Sequence, residues 1–168
     1  MTYRLEPLQR EHDLGPFDCG NAEFTEWLQR HSHHATARGT RTFVLVDERI
    51  GVVAGYFAIA PHLVEREEIP RRIGRGAPRQ IPAILLAKLA LDRSIHGHGL
   101  GSELLVRALG TIVESARVAG GKLVVVDAID DVAGRFYEHH DFEAVPSSAS
   151  RFVKKLSTVA DALGLHWP

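Results

Sequence analysis

The feature that most constrains this chain is an apolar segment joined to an amphipathic helix by a short, glycine-rich loop. The apolar segment runs from Ile84 to Asp92, the loop reads His-Gly-His-Gly-Leu-Gly at positions 96–101, and the helix follows directly. The first amides of a helix lack intrahelical partners and carry the positive end of the dipole, so anions bind there. Glycines allow positive φ, which turns loop N–H groups toward phosphate oxygens. This strand–loop–helix unit predicts a pyrophosphate site for a cofactor.

The spacing of these glycines excludes two common nucleotide-binding loops. A dinucleotide fingerprint requires a third glycine where Ser102 stands, and a P-loop requires Gly-Lys-Ser/Thr, which the loop lacks. A glycine-rich turn without any ligand is the alternative, because short motifs also occur by chance. A second segment of the chain favours a cofactor-binding loop over a turn without a ligand.

That second segment is an apolar strand, Leu123–Val126, followed by a helical pattern that contains Phe136 and Tyr137. The positions that form the pattern Asn/Asp-x-x-Ala-x-x-Phe-Tyr, then Glu and Gly-Phe, are Asp130, Ala133, Phe136, Tyr137, Glu138 and Phe142. With the loop, in which His96 replaces the usual Gln or Arg, this pattern resembles the GNAT N-acetyltransferase superfamily. Asp141 stands in place of glycine, at a position where left-handed backbone geometry is expected.

Three further stretches narrow the resemblance to one GNAT branch. They are Phe17–Asn21 with Leu28, Gly55–Phe57, and Leu85–Asp92, in which Lys88 replaces an expected Arg. They look like the toxins of bacterial toxin–antitoxin modules, which acetylate the α-amine of the amino acid carried on tRNA. The resemblance implies an acetyl-CoA-dependent N-acetyltransferase that inhibits translation. Its implied partners are aminoacyl-tRNA, a second copy in a homodimer, and a ribbon-helix-helix antitoxin, through which operator DNA is contacted and the operon repressed.

The implied fold is α/β: a single GNAT-type domain over residues 1–168, with a mixed central sheet of six or seven strands flanked by helices. Splayed parallel strands would hold acetyl-CoA. A chain of 168 residues with 45% apolar content is large enough for one such core. The sequence predicts strands at 3–8, 42–46, 52–59, 84–92, 123–126 and 151–156, and helices capped by Asn21, over 100–116, around Tyr137 and over 158–165. It predicts an irregular connection over 62–80, with a short helix at 64–68.

The resemblance also implies the site residues. The cofactor-binding positions are Leu89, Ala90, Leu91, Gly97, His98, Gly99, Leu100, Gly101, Ser102 and Asp130. The first three would bond the pantetheine arm, and backbone amides near Leu91 would polarise the thioester carbonyl. Tyr137 is the candidate catalytic acid, because a phenol with an ordinary pKa of about 10 stays protonated and can donate to the departing thiolate. An aromatic side chain that only packs beside Phe136 is the alternative for Tyr137.

The acceptor chemistry needs no strong general base. A free α-amine titrates near a pKa of about 7.7–8.0, and esterification to tRNA lowers that value, so much of the substrate is neutral. A lysine side chain with a pKa of about 10.4 would require a buried carboxylate instead. Two other functions stay open: acetylation of a small-molecule amine or protein N-terminus, and a coenzyme A-binding module without turnover, which would have no use for a leaving-group acid.

Charge gives a local signal for nucleic acid. The formal net charge of −1 provides no overall attraction to a polyanion. Basic residues nevertheless concentrate around the 62–80 connection and in the first third: Arg66, Arg71, Arg72, Arg75, Arg79 and Lys88, with Arg30, Arg38 and Arg41. They are candidates for phosphate contacts, and an ordinary solvated loop neutralised by Glu65, Glu67 and Glu68 is the alternative. No individual residue is assigned to the acceptor substrate.

Cysteine and histidine usage predicts no metal site. Cys19 is the lone cysteine, which excludes an internal disulfide, agrees with a reducing cytoplasm and predicts a buried packing residue. The ten histidines show no zinc-type spacing, although His96 and His98 could add charge near a pyrophosphate. The chain has no signal-peptide pattern and no apolar run of membrane-spanning length, so we expect a cytoplasmic protein.

Overall fold

The computed structural model describes residues 2–168. Its strands are β1 (Tyr3–Pro7), β2 (Arg41–Asp47), β3 (Val52–Glu65), β4 (Gln80–Leu91), β5 (Leu123–Asp127), β6 (Glu143–Val145) and β7 (Ser148–Lys155). Its α-helices are α1 (Ala22–Glu26), α2 (Ser32–Ala37), α3 (Arg71–Gly74), α4 (Leu100–Ala119), α5 (Asp131–His139) and α6 (Leu156–Ala162). A π-helical turn, Trp27–His31, joins α1 to α2, and 3₁₀ turns cover Arg66–Glu68 and Arg93–Ile95.

The strands are hydrogen-bonded in the order β1-β2-β3-β4-β5-β7-β6. β4 and β5 run parallel, whereas the pairs β1–β2, β2–β3, β5–β7 and β6–β7 are antiparallel. The chain divides into two compact units: residues up to Ala60 with Ala87–Ala108, and Pro61–Leu86 with Leu109–Pro168. The mixed seven-stranded sheet with helices confirms the predicted fold class.

The core of the first unit forms around Tyr56, which is fully buried on β3. Its ring meets Phe17 edge-on, with 5.6 Å between centroids, and stacks on Trp27 at 5.8 Å. Its hydroxyl donates a 2.8 Å hydrogen bond to the backbone oxygen of Phe24, which satisfies a polar group that would otherwise be costly to bury. The other buried members of this core are Leu14, Cys19, Leu28, Val44, Val46 and Val53. The predicted burial of Cys19 is confirmed.

The core of the second unit forms around β5 and β7. Val125 and Val153 lie opposite each other in the antiparallel register, and both are fully buried. The buried residues packed with them are Val64, Ile69, Ile73, Ala77, Ile81, Ala83, Leu123 and Val145. All four apolar residues of β5 are buried, as expected of a strand in a parallel pair covered on both faces.

Three predicted helix features are confirmed. The Asn21 side chain accepts a 3.0 Å hydrogen bond from the Phe24 amide and so caps α1. One face of α4 is buried, formed by Leu104, Leu105, Ala108, Leu109, Ile112, Val113 and Ala116. The helix ends at Gly120 and Gly121, whose φ angles of 93° and 137° stop it as predicted. No helix within residues 2–168 is both long enough and apolar enough to cross a bilayer.

The predicted end of the second hairpin strand is wrong. β3 continues through Pro61 to Glu65. The helix predicted at 64–68 is a 3₁₀ turn over Arg66–Glu68, which begins two residues after the predicted start because β3 occupies 64 and 65. Proline lacks an N–H but its fixed φ is compatible with extended backbone where no ladder donor is required. The later part of β3 alternates exposed and buried positions, and the Arg66 amide donates to Arg79 O at 2.8 Å. Pairing beyond the proline extends the strand.

Other element boundaries also differ from the prediction. β4 begins at Gln80 and β7 at Ser148, both earlier than predicted, and the short strand β6 was not predicted at all. β6 has three residues, too few for a periodic pattern, and exists because it pairs with β7. The last helix lies at Leu156–Ala162, about two residues before its predicted position. Tertiary pairing decides these ends.

The contact between β3 and β4 gives a stability prediction. A Cβ atom on Gly55 would lie 2.9 Å from Leu91 Cδ2 and 3.1 Å from the Ala90 carbonyl oxygen, which cannot move without shifting β4. We expect Gly55→Ala to lower the free energy of unfolding by about 1–3 kcal/mol, measured by urea denaturation. Gly110→Ala, inside α4 with nothing within 4 Å of the added methyl, is the control and should raise it by about 0.5–1 kcal/mol. Undiminished stability of Gly55→Ala would contradict this close contact.

Candidate active site

One candidate segment, within the first unit, is the turn that follows β4. The Asp92 carboxylate accepts hydrogen bonds from the amide of Asp18 at 3.0 Å, the amide of Ser94 at 3.0 Å and the Ser94 hydroxyl at 2.7 Å. Partial burial alone would raise the pKa of Asp92, but these hydrogen bonds outweigh burial and hold that pKa below its usual range. A charged Asp92 therefore fixes the turn that leads into the glycine loop.

His96 connects this loop to the end of β4. Its Nε2 lies 2.9 Å from the Leu91 carbonyl oxygen, which can only accept, so Nε2 carries the proton and donates. His98 Nδ1 makes a longer contact, 3.4 Å, with the Ile95 carbonyl oxygen. The sequence suggested that His96, when protonated, adds positive charge near a pyrophosphate. The structure gives its Nε2 the role of a backbone anchor.

The glycines of the loop divide into two kinds. Gly97 and Gly99 have φ angles of 79° and 76°, and a Cβ on either would have no heavy atom within 4 Å. Backbone conformation, not space, therefore requires glycine at both positions. Gly101 lies in the first turn of α4, together with Leu100 and Ser102. A 20-residue helix begins within the loop at Leu100, which confirms the predicted helix. The first amides of any helix lack intrahelical partners, so the anion site expected here stays a prediction.

The end of β4 presents the three residues predicted to bind pantetheine. The parallel register with β5 ends at the pair Leu86 and Val126, and β4 continues for five more residues to Leu91. Leu89 and Ala90 are half-buried, whereas Leu91 is buried. Backbone groups at the end of a strand whose neighbour has already stopped can bond an extended ligand arm.

A separate candidate segment, within the second unit, is α5. The Asp130 side chain accepts a 2.8 Å hydrogen bond from the Ala133 amide and caps this helix. Sequence reasoning placed Asp130 among the cofactor ligands. In the structure it is exposed, and one of its oxygens is occupied by the capping bond.

The carboxyl end of α5 holds Tyr137 in position. The Phe142 amide donates to the Tyr137 carbonyl oxygen and the Asp141 amide to that of Glu138, both at 3.0 Å, which is a Schellman motif. Asp141 has φ of 64° and is the non-glycine residue with positive φ in the described part of the chain. The predicted left-handed geometry at Asp141 is confirmed. The motif brings the Phe142 ring to 5.5 Å from the Tyr137 ring.

Tyr137 lies among three aromatic rings of the second unit. Phe136 and Phe142 contact its ring edge-on at 5.3 and 5.5 Å, and Phe152 of β7 lies at 6.4 Å. The residue is only 7% exposed, and this burial raises the pKa of its phenol above the ordinary value. Within residues 2–168 the only fully buried side-chain polar atom without a partner is Thr42 Oγ1. The Tyr137 hydroxyl makes no hydrogen bond within these residues either, so it is accessible: a protonated donor at the edge of an apolar cage.

One polar group at the end of β5 was missed by sequence reasoning. Asp127 receives two hydrogen bonds from Arg151, at 2.8 and 2.9 Å, and Arg151 Nη1 lies 3.1 Å from His62 Nε2. Arginine only donates, so His62 Nε2 accepts and the ring proton is on Nδ1. The bond from Arg151 lowers the pKa of Asp127, and partial burial together with the Arg151 charge lowers the pKa of His62. The signal in the sequence that could have indicated this polar group is Asp127, which follows the four apolar residues of β5.

The predicted basic residues have different roles in the structure. Lys88 Nζ lies over the rings of Phe24 and Trp27, at 5.0 and 5.6 Å from their centroids. Arg66 donates to the Ala77 carbonyl oxygen, and Arg72 forms an ion pair with Glu143. The exposed residues Arg71, Arg75 and Arg79 complete the basic part of the connection. The described residues contain no group of three side chains that could hold a metal ion.

Comparison with known proteins places this geometry in context. The sequence is 37% identical over 137 residues to a Mycobacterium tuberculosis protein named tRNA-acetylating toxin; the match covers 80% of this chain and 81% of that protein. The fold matches a solved structure of AtaT complexed with acetyl-methionyl-tRNAfMet, with a TM-score of 0.87 and 22% identity, covering 96% of this chain and 99% of that one. No protein-family model matches the sequence.

A third match adds two ligands of a relative. It is a Tyr-to-Phe variant of the toxin AtaT bound to the carboxyl terminus of the antitoxin AtaR and to acetyl-CoA. The TM-score is 0.79 at 23% identity, and the match covers 96% of this chain and 98% of that one. At this level of identity both structural matches establish the fold.

The glycine loop can be tested through cofactor affinity. Gly99→Ala forces an L side chain into positive φ, at a cost of about 1–2 kcal/mol, and we expect the Kd for acetyl-CoA to rise about tenfold. Gly51→Ala is the matched control, because Gly51 has φ of 68° and open surroundings in the β2–β3 turn. It should cost similar stability and leave the Kd unchanged. Equal Kd values for Gly99→Ala and the parent protein, measured by calorimetry, would exclude the loop from the cofactor site.

Proposed function

The chain belongs to the family of tRNA-acetylating toxins, and we propose that it transfers the acetyl group of acetyl-CoA to the α-amine of the amino acid on a charged tRNA. N-acetylation removes the nucleophile that peptide-bond formation needs, so the product stops translation. The relative with 37% identity is named a tRNA-acetylating toxin, and the GNAT-type fold supports an acetyltransferase. The observation that carries the proposal is the Tyr137 hydroxyl, an accessible donor in an aromatic cage.

The residues described above fit an acetyl-CoA ligand. Gly97 and Gly99 adopt the positive φ that turns amides toward phosphates, and α4 begins directly after them. When bound, acetyl-CoA supplies a thioester whose carbonyl carbon accepts the amine. We assign the phosphates to Gly97–Ser102, the pantetheine arm to Leu89, Ala90 and Leu91, and a supporting cofactor contact to Asp130.

Tyr137 is assigned the role of the acid. The amine nitrogen bonds to the carbonyl carbon as the carbon–sulfur bond breaks, and the phenol donates its proton to the departing thiolate. The nitrogen releases one proton to solvent and the phenolate regains one, so the products are the N-acetyl amide and the free thiol. Burial raises the pKa of the phenol and keeps it protonated well above neutral pH, so it is in the donating form wherever the enzyme works. The α-amine of an aminoacyl ester is largely neutral near pH 7, so the mechanism needs no strong general base.

The proposal extends to partners and location. One AtaT structure contains the carboxyl terminus of the antitoxin AtaR. We propose that this chain is held inactive by a ribbon-helix-helix antitoxin, which contacts operator DNA on behalf of the complex. We further propose that the chain acts as a homodimer and as one GNAT domain in the cytoplasm, where charged tRNA is present.

The substrate can be identified by transfer of label. Purified protein is incubated with labelled acetyl-CoA and total aminoacyl-tRNA, and alkaline hydrolysis then releases the modified amino acids. We expect labelled N-acetyl-amino acids from one or a few isoacceptors, with none from deacylated tRNA. Label that never enters the tRNA fraction, despite tight acetyl-CoA binding, would refute the tRNA substrate and point to a small-molecule amine or a protein N-terminus.

The role of Tyr137 can be tested separately. Tyr137→Phe removes one oxygen and keeps the ring in its cage, so kcat should fall by about 10²–10⁴-fold while the Kd for acetyl-CoA stays within about twofold. Tyr3→Phe, which removes a hydroxyl from β1, is the control and should retain full activity. Transfer by Tyr137→Phe at the parental rate would remove the acid assignment.

A further inference from the structure

A small pocket in the second unit carries positive charge that the proposed reaction does not use. Its volume is about 160 Å³, and its lining includes the apolar residues Ile73, Ala77, Ile81 and Leu123. Three cationic side chains line it, Arg75, Lys122 and Lys155, together with Trp167 and Ser157. Within residues 2–168, no carboxylate lines the pocket.

These cations are not neutralised within the protein. Arg75 and Lys122 are exposed and Lys155 is half-exposed. None of the three has an ion pair or a side-chain hydrogen bond in the described part of the chain. Three unpaired cations around one concavity repel one another, and an anion bound there would relieve that repulsion.

A second concavity continues the same surface. It has a volume of about 600 Å³ and is lined by Arg66, Arg71, Arg75 and Glu67. Arg75 and Gly76 line both concavities, so the two are contiguous. We call Arg71, Arg75, Lys122 and Lys155 the basic strip. Charge spread along a surface in this way matches a ligand with repeated negative charges better than a single anion.

The basic strip lies at the opposite end of β5 from α5. Lys122 precedes β5 and Leu123 begins it, whereas Asp127 ends it and α5 with Tyr137 follows. Four residue steps at a rise of about 3.3 Å separate Leu123 from Asp127 by roughly 13 Å. The strip is therefore set apart from the phenol that we assign to the acetyl transfer, and it would contact parts of a substrate away from the reacting amine.

We propose that the basic strip binds backbone phosphates of the tRNA body, away from the aminoacyl end. The inference rests on the proposed function and adds a second contact region for the same substrate. Phosphate contacts position a nucleic acid and supply affinity without reading its sequence. The strip should therefore contribute to binding all tRNAs alike and should not affect the chemical step.

The test compares two double variants with equal loss of charge. Arg75→Ser with Lys122→Ser removes two cations of the strip, and the control, Arg10→Ser with Arg117→Ser, removes two exposed arginines elsewhere. The Kd for deacylated tRNA is measured at several salt concentrations. Each phosphate contact contributes about 0.9 to the slope of log Kd against log salt, so the strip variant should lose about two units of slope. At 0.15 M salt this corresponds to a Kd roughly 30-fold weaker, with little change in the control.

A second substrate separates this inference from the proposed function. A short aminoacylated oligonucleotide ending in CCA lacks the tRNA body. The strip variant should acetylate it at the parental kcat and KM, while its KM for full-length aminoacyl-tRNA rises. Loss of turnover on both substrates, or equal salt slopes in the two double variants, would overturn the inference that the basic strip binds tRNA phosphates.

Two further results would also overturn the inference. Polyglutamate can be tested as a competitor of tRNA binding. If it binds the parental protein as tightly as tRNA does, and the strip variant no longer binds it, the strip is a site for an acidic protein segment. Binding of tRNA to the parental protein with no salt dependence would exclude phosphate contacts altogether. Failure of the parental protein to acetylate any aminoacyl-tRNA would instead refute the proposed function. The Kd measurements with tRNA do not depend on acetylation, so they would still test whether the strip binds tRNA.

Discussion

The backbone hydrogen bonds around the carboxyl end of β4 are the constraint on which the candidate cofactor site depends. The Asp92 amide donates to Ala54 O on β3, and the Arg93 amide donates to Asp18 O, both at 2.8 Å. His96 donates to Leu91 O from the other side of the turn. These bonds fix the turn that leads to Gly97 and Gly99, so the two glycines follow a segment whose backbone is already positioned. A phosphate site made from backbone amides needs this rigidity, because misplaced donors cost affinity.

Tyr137 shows how packing prepares a polar group for chemistry. The Schellman motif orients Phe142, and β7 supplies Phe152, so the phenol ring is buried by residues from three parts of the chain. Burial raises the pKa of the phenol, since a charged oxygen would lose water there. The same arrangement that stabilises the second unit therefore keeps the acid in its donating form. The departure at Asp141 from the expected glycine is tolerated, because Asp adopts left-handed geometry at lower cost than most residues.

The charged side chains of this protein act through local contacts rather than through a large net charge. The whole chain is nearly neutral, with a formal charge of −1, and several of its exposed arginines are paired with nearby carboxylates, as in the pair Arg72–Glu143. The basic strip differs because its cations form no ion pair with the described residues, although Glu67 lines the larger of its two concavities. Lys88, in contrast, has a cationic head held over two aromatic rings, which uses its charge for packing within the first unit. Composition alone could not separate these cases.

Elements with local signals could be predicted from the sequence alone. The apolar run of β4, the glycine loop, the apolar face of α4, the Asn21 cap and the turn at Asp141 follow from periodicity, capping and backbone preference within a few residues. The motif around Tyr137 was equally visible, as was the family. Only the tertiary structure decided the continuation of β3 past Pro61, the strand β6, the bond from His96 to Leu91, and the grouping of Arg75, Lys122 and Lys155. Each depends on partners that the local pattern does not specify, because no short stretch of sequence encodes a distance between residues that only folding brings together.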